Sequence, residues 1–153
     1  MKKTVVLGVG NLLLRDEGAG IHVVSRLMQM DLPENVEVVD GATDPLDILS
    51  LSKDVDKLII VDALKGGGDP GTIYRMSPED IASCGEVPFS LHQLDLLQML
   101  DMCASIGRMP STVIIGVEPK EIDFEMELSP EVEGKIPRII ELILEEIERK
   151  DEV

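Results

Sequence analysis

The sequence predicts an α/β protein: one three-layer α/β/α domain over residues 1–153, with a mainly parallel, five-stranded twisted sheet. Strand-like and helix-like segments alternate along the chain, and three of the strand-like segments are continuous apolar runs, at 5–7, 58–61 and 113–115. Such runs are typical of parallel strands that helices cover on both faces. With 153 residues, 44% of them hydrophobic, the chain is long enough for one core and too short for two ordinary domains.

Apolar runs bounded by turn residues predict the strands, at 4–9, 36–40, 57–62, 71–76 and 112–117. Helical periodicity predicts the helices, at 17–30, 45–52, 78–84, 92–105 and 130–149. Three of these helices begin at a proline that follows a capping residue, in Asp44-Pro45, Ser77-Pro78 and Ser129-Pro130.

Two of these elements carry a further expectation. The loop at 63–70 is short for a crossover, which favours a strand 71–76 that runs antiparallel to its predecessor. Pro137 falls inside the last helix, where proline removes a hydrogen bond, so we expect a kink or break near that residue.

Charge excludes several classes of function. The 14 basic and 30 acidic residues give a net charge of −16, which repels nucleic acid and anionic lipid. No apolar run approaches the roughly 18 residues of a membrane span. Two cysteines, Cys84 and Cys103, do not make a disulfide framework in a chain of this size. We expect a cytoplasmic protein, and a monomer because like charge resists self-association.

The turn after the first strand is the first candidate site. Gly8 and Gly10 allow close backbone approach at the carboxyl end of that strand, and Asp16 and Glu17 follow as candidate site residues. A mononucleotide-binding domain is one alternative, since Gly8-Val9-Gly10 resembles the start of a dinucleotide fingerprint. However, Leu13 replaces the third glycine, and the two carboxylates would repel a pyrophosphate.

Two further polar residues interrupt apolar patterns. Asp62 ends the most hydrophobic strand at the same edge as Glu17, and His92 begins a predicted helix, where the positive helix end favours a neutral imidazole. Glu17, Asp62 and His92 together offer two carboxylates and one imidazole to a divalent cation, with coordination positions left open. We expect all three side chains to lie in an open cleft and not in the core. His22 lies among core positions of the first helix, and we expect it to be a packed or partly exposed helix residue away from this site.

The order and spacing of several motifs resemble those of the maturation endopeptidases of nickel–iron hydrogenases. The resemblance covers nearly the whole chain and rests on Gly8-Val9-Gly10-Asn11, Asp16-Glu17-Gly18, Asp40-Gly41-Ala42-Thr43, Asp62-Ala63, Ser90-Leu91-His92-Gln93, Gly116-Val117-Glu118-Pro119 and Leu128-Ser129-Pro130. One departure stands out: Ala42 occupies a position where the family often has glycine.

The resemblance implies an endopeptidase that removes the C-terminal extension of a hydrogenase large-subunit precursor after nickel insertion. It places catalytic and metal-binding roles on Glu17, Asp62 and His92, and substrate contact on the loop with Asp40, Gly41 and Thr43. The precursor would supply the nickel, so we expect the isolated protein to be metal-free. A non-catalytic nickel-sensing or metallochaperone module is the other alternative.

Overall fold

The computed structural model describes residues 3–10, 13, 15–40, 55–77, 111–120 and 126–149. Within these ranges the strands are β1 (Thr4–Gly8), β2 (Val36–Asp40), β3 (Lys57–Ala63), β4 (Ile73–Met76) and β5 (Ser111–Val117). A 3₁₀ turn at Arg15–Gly18 precedes helix α1 (Ala19–Leu27), and α2 (Pro130–Glu133) and α3 (Ile136–Glu148) follow β5. The helices expected at 45–52, 78–84 and 92–105 lie outside the described residues. No helix in the described part is long and apolar enough to cross a membrane.

The strands form one sheet in the order β2-β1-β3-β5-β4. All neighbouring pairs are parallel except β4 and β5, so the mainly parallel five-stranded sheet is confirmed. The antiparallel direction of β4 is also confirmed, but β5 separates β4 from β3. The loop after β3 therefore passes the carboxyl end of β5, where Leu64 N–H donates to the Val117 carbonyl at 2.9 Å and Gly71 N–H donates to the Glu118 carbonyl at 2.8 Å.

The order of the strands reverses beside β1. β2 lies on one side of β1 and β3 on the other, which makes the carboxyl ends of β1 and β3 the topological switch point of the sheet. In open α/β sheets, the crevice outside such a point is where ligands usually bind. The 3₁₀ turn that follows β1 contacts β3, so the connections after both strands meet there.

One face of the sheet packs against α1 and α3. Ile136, Ile139 and Ile143 of α3 are fully buried in that core, at the spacing of a helical stripe. The opposite face has its own apolar cluster, which includes Val5, Leu7, Ile60 and Ile114.

The last predicted helix is two helices. α2 ends at Glu133, and α3 begins at Ile136 with Pro137 in its first turn. Proline is tolerated there because the N–H groups of a first helical turn have no partner within the helix. The break expected near Pro137 is confirmed.

A buried ion pair lies at the amino end of β3. Glu146 of α3 is 4% exposed, and Lys57 Nζ lies 3.4 Å from Glu146 Oε2 and donates to the Glu146 carbonyl at 2.6 Å. Arg75 Nε also donates to Glu146 Oε1, at 2.5 Å. Lys57 is five residues from Asp62 along β3, about 16 Å at the rise of a strand. This charge cluster is therefore remote from the switch point.

Candidate functional site at the switch point

Gly10 lets the 3₁₀ turn lie directly on the carboxyl ends of β1 and β3. Its φ is +141°, and a Cβ atom there would lie 1.9 Å from the Glu17 carbonyl oxygen and 3.7 Å from Asp62 Oδ1. Gly8 is equally confined, since a Cβ atom would lie 2.5 Å from the Gly20 carbonyl oxygen. These glycines accommodate the chain's own backbone, so their presence does not indicate a phosphate site.

Asp62 lies at the switch point, as predicted, but it is not in an open cleft. It is the penultimate residue of β3, pairs with Gly116 of β5 and is only 2% exposed. Its Oδ1 accepts a hydrogen bond from Ala63 N–H at 2.8 Å. Our expectation of an open position for this side chain is wrong, because β3 is a central strand whose seven residues are all buried.

Asp16 and Glu17 are neighbours with different surroundings. Asp16 is fully buried, and its carboxylate accepts three hydrogen bonds of 2.8 Å, from Ser129 N–H, Ser129 Oγ–H and Lys120 N–H. Glu17 is half-buried. Asp16 thus ties the turn to the segments after β5 and before α2, and Glu17 is the carboxylate of the pair that stays at the surface.

The third predicted ligand, His92, lies outside the described residues, as do Gly41 and Thr43. Asp40 is described: it is the exposed last residue of β2 and pairs with Gly8, so it lies at the same edge as Asp62, with β1 between their strands. Within the described ranges no three His, Cys, Asp or Glu side chains form a metal-binding group. Convergence of Glu17, Asp62 and His92 on one cation stays a prediction.

His22 lies on α1. Its Nε2 lies 3.1 Å from the Met126 carbonyl oxygen, and the ring is half-buried. The expectation that His22 is a partly exposed helix residue is confirmed.

Sequence reasoning missed a third buried carboxylate at this edge, besides Asp62 and Asp16. Glu118 directly follows β5 and is 6% exposed, and its Oε1 accepts hydrogen bonds from Gly66 N–H, Gly68 N–H and Tyr74 Oη–H at 2.9, 2.9 and 2.8 Å. Burial, and then the bond to Glu118, raise the pKa of Tyr74 above its ordinary value. The available signal was the one that singled out Asp62: a carboxylate that ends an apolar run.

Comparison with known proteins identifies the family of the chain. Residues 21–146 match the family described as hydrogenase maturation protease. The hydrogenase 2 maturation protease of Escherichia coli is 34% identical over 93% of this chain and 88% of that protein. The solved structure of the hydrogenase maturating endopeptidase HybD from E. coli superposes with a TM-score of 0.87, at 34% identity, over 95% of this chain and 91% of that one.

An archaeal structure is also similar. The [NiFe] hydrogenase maturation protease HybD from Thermococcus kodakarensis matches with a TM-score of 0.79, at 25% identity, over 96% of this chain and 99% of that one. Family match, sequence identity and fold therefore agree over nearly the full chain. The chain belongs to the hydrogenase maturation protease family, and it is a peptidase.

Proposed function

We propose that this peptidase removes the C-terminal extension of a nickel–iron hydrogenase large-subunit precursor after nickel has been inserted. In this proposal Glu17, Asp62 and His92 contact the nickel carried by the precursor. The loop that begins at Asp40 and includes Gly41 and Thr43 contacts the polypeptide beside it. The nickel belongs to the substrate, and the isolated peptidase holds none.

The observation that carries the proposal is the meeting of two carboxylate-bearing connections at the switch point. The turn with Glu17 follows β1, Asp62 is the penultimate residue of β3, and Gly10 lies against both. Two carboxylates from separate elements at one edge of the sheet suit a cation, whereas a nucleotide phosphate would be repelled.

The types of side chain also fit nickel that the precursor already binds with its own ligands. Two carboxylates and one imidazole offer oxygen and nitrogen donors without a thiolate, a set that leaves coordination positions for ligands from the precursor. A bound divalent cation polarises a carbonyl group or a water molecule beside it. The role of this chain is to orient the precursor: Asp62 is anchored in β3, and Glu17 reaches from the surface of the turn.

The other two hypotheses are less well supported. A non-catalytic nickel sensor of this fold would be an exception among relatives named as proteases and endopeptidases. A mononucleotide site would need free space at Gly8 and Gly10, but the Gly20 and Glu17 carbonyl oxygens occupy that space.

The decisive experiment compares precursor cleavage by wild type, His92→Ala, Asp62→Asn and Asp56→Asn. Asp56 is the matched control, because this exposed aspartate precedes β3 at its opposite end and accepts a hydrogen bond from Lys3 N–H. We expect His92→Ala and Asp62→Asn to leave the nickel-loaded precursor uncleaved and Asp56→Asn to process it normally. Circular dichroism tests whether the Asp62→Asn protein is folded, which matters because Asp62 is buried.

Two results would each reject one part of the proposed function. Normal processing by the His92→Ala protein would reject the metal-contacting role of the three residues. Equal cleavage of nickel-free and nickel-loaded precursor by the wild-type protein would reject nickel recognition while leaving the peptidase activity in place.

A further inference from the structure

One segment that begins at the last residue of β5 is bonded to both connections that meet at the switch point. We name Val117–Lys120 the β5 extension. On one side, the Val117 carbonyl accepts Leu64 N–H, and the Glu118 carboxylate accepts Gly66 N–H and Gly68 N–H. The bonded residues begin two positions after Asp62 in the chain, so the β5 extension holds the chain that leaves the Asp62 end of β3.

On its other side the β5 extension holds the turn that contains Glu17. Lys120 N–H donates to Asp16 Oδ2 at 2.8 Å, and Asp16 immediately precedes Glu17. Lys120 Nζ also donates to Glu131 Oε1 at 2.9 Å, a bond that lowers the pKa of Glu131 and connects the β5 extension to α2. Glu118 and Lys120, two residues apart, are thus linked to the Asp62 connection and to the Glu17 connection respectively.

The Glu118 carboxylate orders a loop that its own composition leaves flexible. Three consecutive glycines, Gly66–Gly68, are exposed, and Gly67 has a φ of +86°. Glycine loses more conformational freedom on ordering than any other residue. Bonds to an ionised acceptor are about twice as strong as those between neutral groups, so a single buried carboxylate oxygen can hold this loop.

We propose that Glu118 is a positioning residue for the processing reaction. By fixing the Gly66–Gly68 loop to the β5 extension, it keeps the Asp62 carboxylate at a set position relative to Glu17 before the precursor binds. This inference rests on the proposed role of Asp62 and Glu17, and it adds a residue that touches neither nickel nor the cleaved bond.

The test is the Glu118→Gln substitution, which keeps the shape of the side chain and removes its charge. We expect kcat for precursor cleavage to fall about 10- to 100-fold, the usual cost of losing a group that orients metal-contacting side chains. KM should stay close to the wild-type value, because Glu118 is buried and is not proposed to contact the precursor. The Gly66 and Gly68 amides should exchange with solvent faster.

Tyr74 supplies a second readout that does not depend on activity. It is the only tyrosine in a chain without tryptophan, so tyrosinate absorbance during an alkaline titration reports on it alone. The bond to Glu118 and its charge both raise the pKa of Tyr74, and Glu118→Gln should therefore lower it.

Glu146→Gln is the matched control. Glu146, like Glu118, is a buried carboxylate, but its partners are cationic side chains and it lies at the amino end of β3. A purely structural role for Glu118 predicts that both variants lose stability and that neither changes kcat. Wild-type kcat in the Glu118→Gln protein, with faster exchange at Gly68, would overturn the positioning role. Normal processing by the His92→Ala protein in the same assay would instead reject the proposed metal contact, which is part of the proposed function and not of the positioning role.

Discussion

Replacing Asp16 by asparagine should destabilise the protein more than an ordinary conservative change at its surface. Asp16 is fully buried and accepts three hydrogen bonds, two of them from the backbone N–H groups of Ser129 and Lys120. The side chain of asparagine has one acceptor oxygen and an NH₂ group that only donates. The Ser129 hydroxyl can rotate to accept from that amide, but a backbone N–H cannot.

The magnitude follows from the groups left unpaired. Whichever way the asparagine amide is turned, one of the two backbone N–H groups loses its acceptor, which costs about 1–3 kcal/mol. The remaining bonds lose their ionic character, so the total should be about 2–4 kcal/mol. At roughly 3 °C per kcal/mol for a chain of this size, Tm should fall by about 6–12 °C.

Urea unfolding followed by circular dichroism measures this loss, with Ser129→Ala as the control. That variant removes only the Oγ–H bond to Asp16 and should cost about 1 kcal/mol. An Asp16→Asn protein within about 0.5 kcal/mol of wild type would refute the reasoning, because surface substitutions have effects of that size. It would mean that the turn does not depend on the buried carboxylate.

Two further predictions concern the same edge of the sheet. Gly10→Ala should cost about 3 kcal/mol or more in urea unfolding, because a positive φ is combined with backbone overlap. Gly67→Ala, also at positive φ but with nothing within 4 Å of the added atom, should cost only about 1 kcal/mol, and equal losses would contradict the packing argument. Folding raises the pKa of Tyr74, so the protonated phenol stabilises the folded protein. This stabilisation is complete below the ordinary tyrosine pKa and is lost as pH rises through the pKa of Tyr74 in the folded protein. Urea midpoints across alkaline pH should show this loss in wild type and a smaller one in Tyr74→Phe, whereas identical profiles would contradict it.

Most of the sheet was predictable because each of its three central strands contains a continuous apolar run. The apolar runs at 5–7, 58–61 and 113–115 lie within β1, β3 and β5, and all the strand ends fall within two residues of their predicted positions. The carboxyl edge was predictable for the same reason, since a polar residue that ends such a run must lie there. The position of β4 was not, because the length of a loop indicates direction but not which strand the loop crosses.

The distinction between structural and exposed carboxylates was not predictable from local sequence. Asp16 and Glu17 are adjacent acidic residues in one turn, yet Asp16 is buried because Lys120 and Ser129, more than a hundred residues away, supply its donors. Glu118 likewise depends on a glycine loop and on Tyr74, about 50 and 44 residues before it. Local patterns record that a carboxylate ends a strand, and only the tertiary fold shows which donors reach it.

The buried carboxylates explain how the acidic carboxyl edge of the sheet can stay rigid. Asp16 and Glu118 are satisfied by backbone N–H groups, and a cation that displaced them would leave buried donors unpaired. They therefore act as fixed anchors, while Glu17 stays at the surface of the turn that they support. With a net charge of −16, the protein attracts cations and repels anions at long range. A preorganised acidic edge of the sheet therefore loses little entropy on binding a cation.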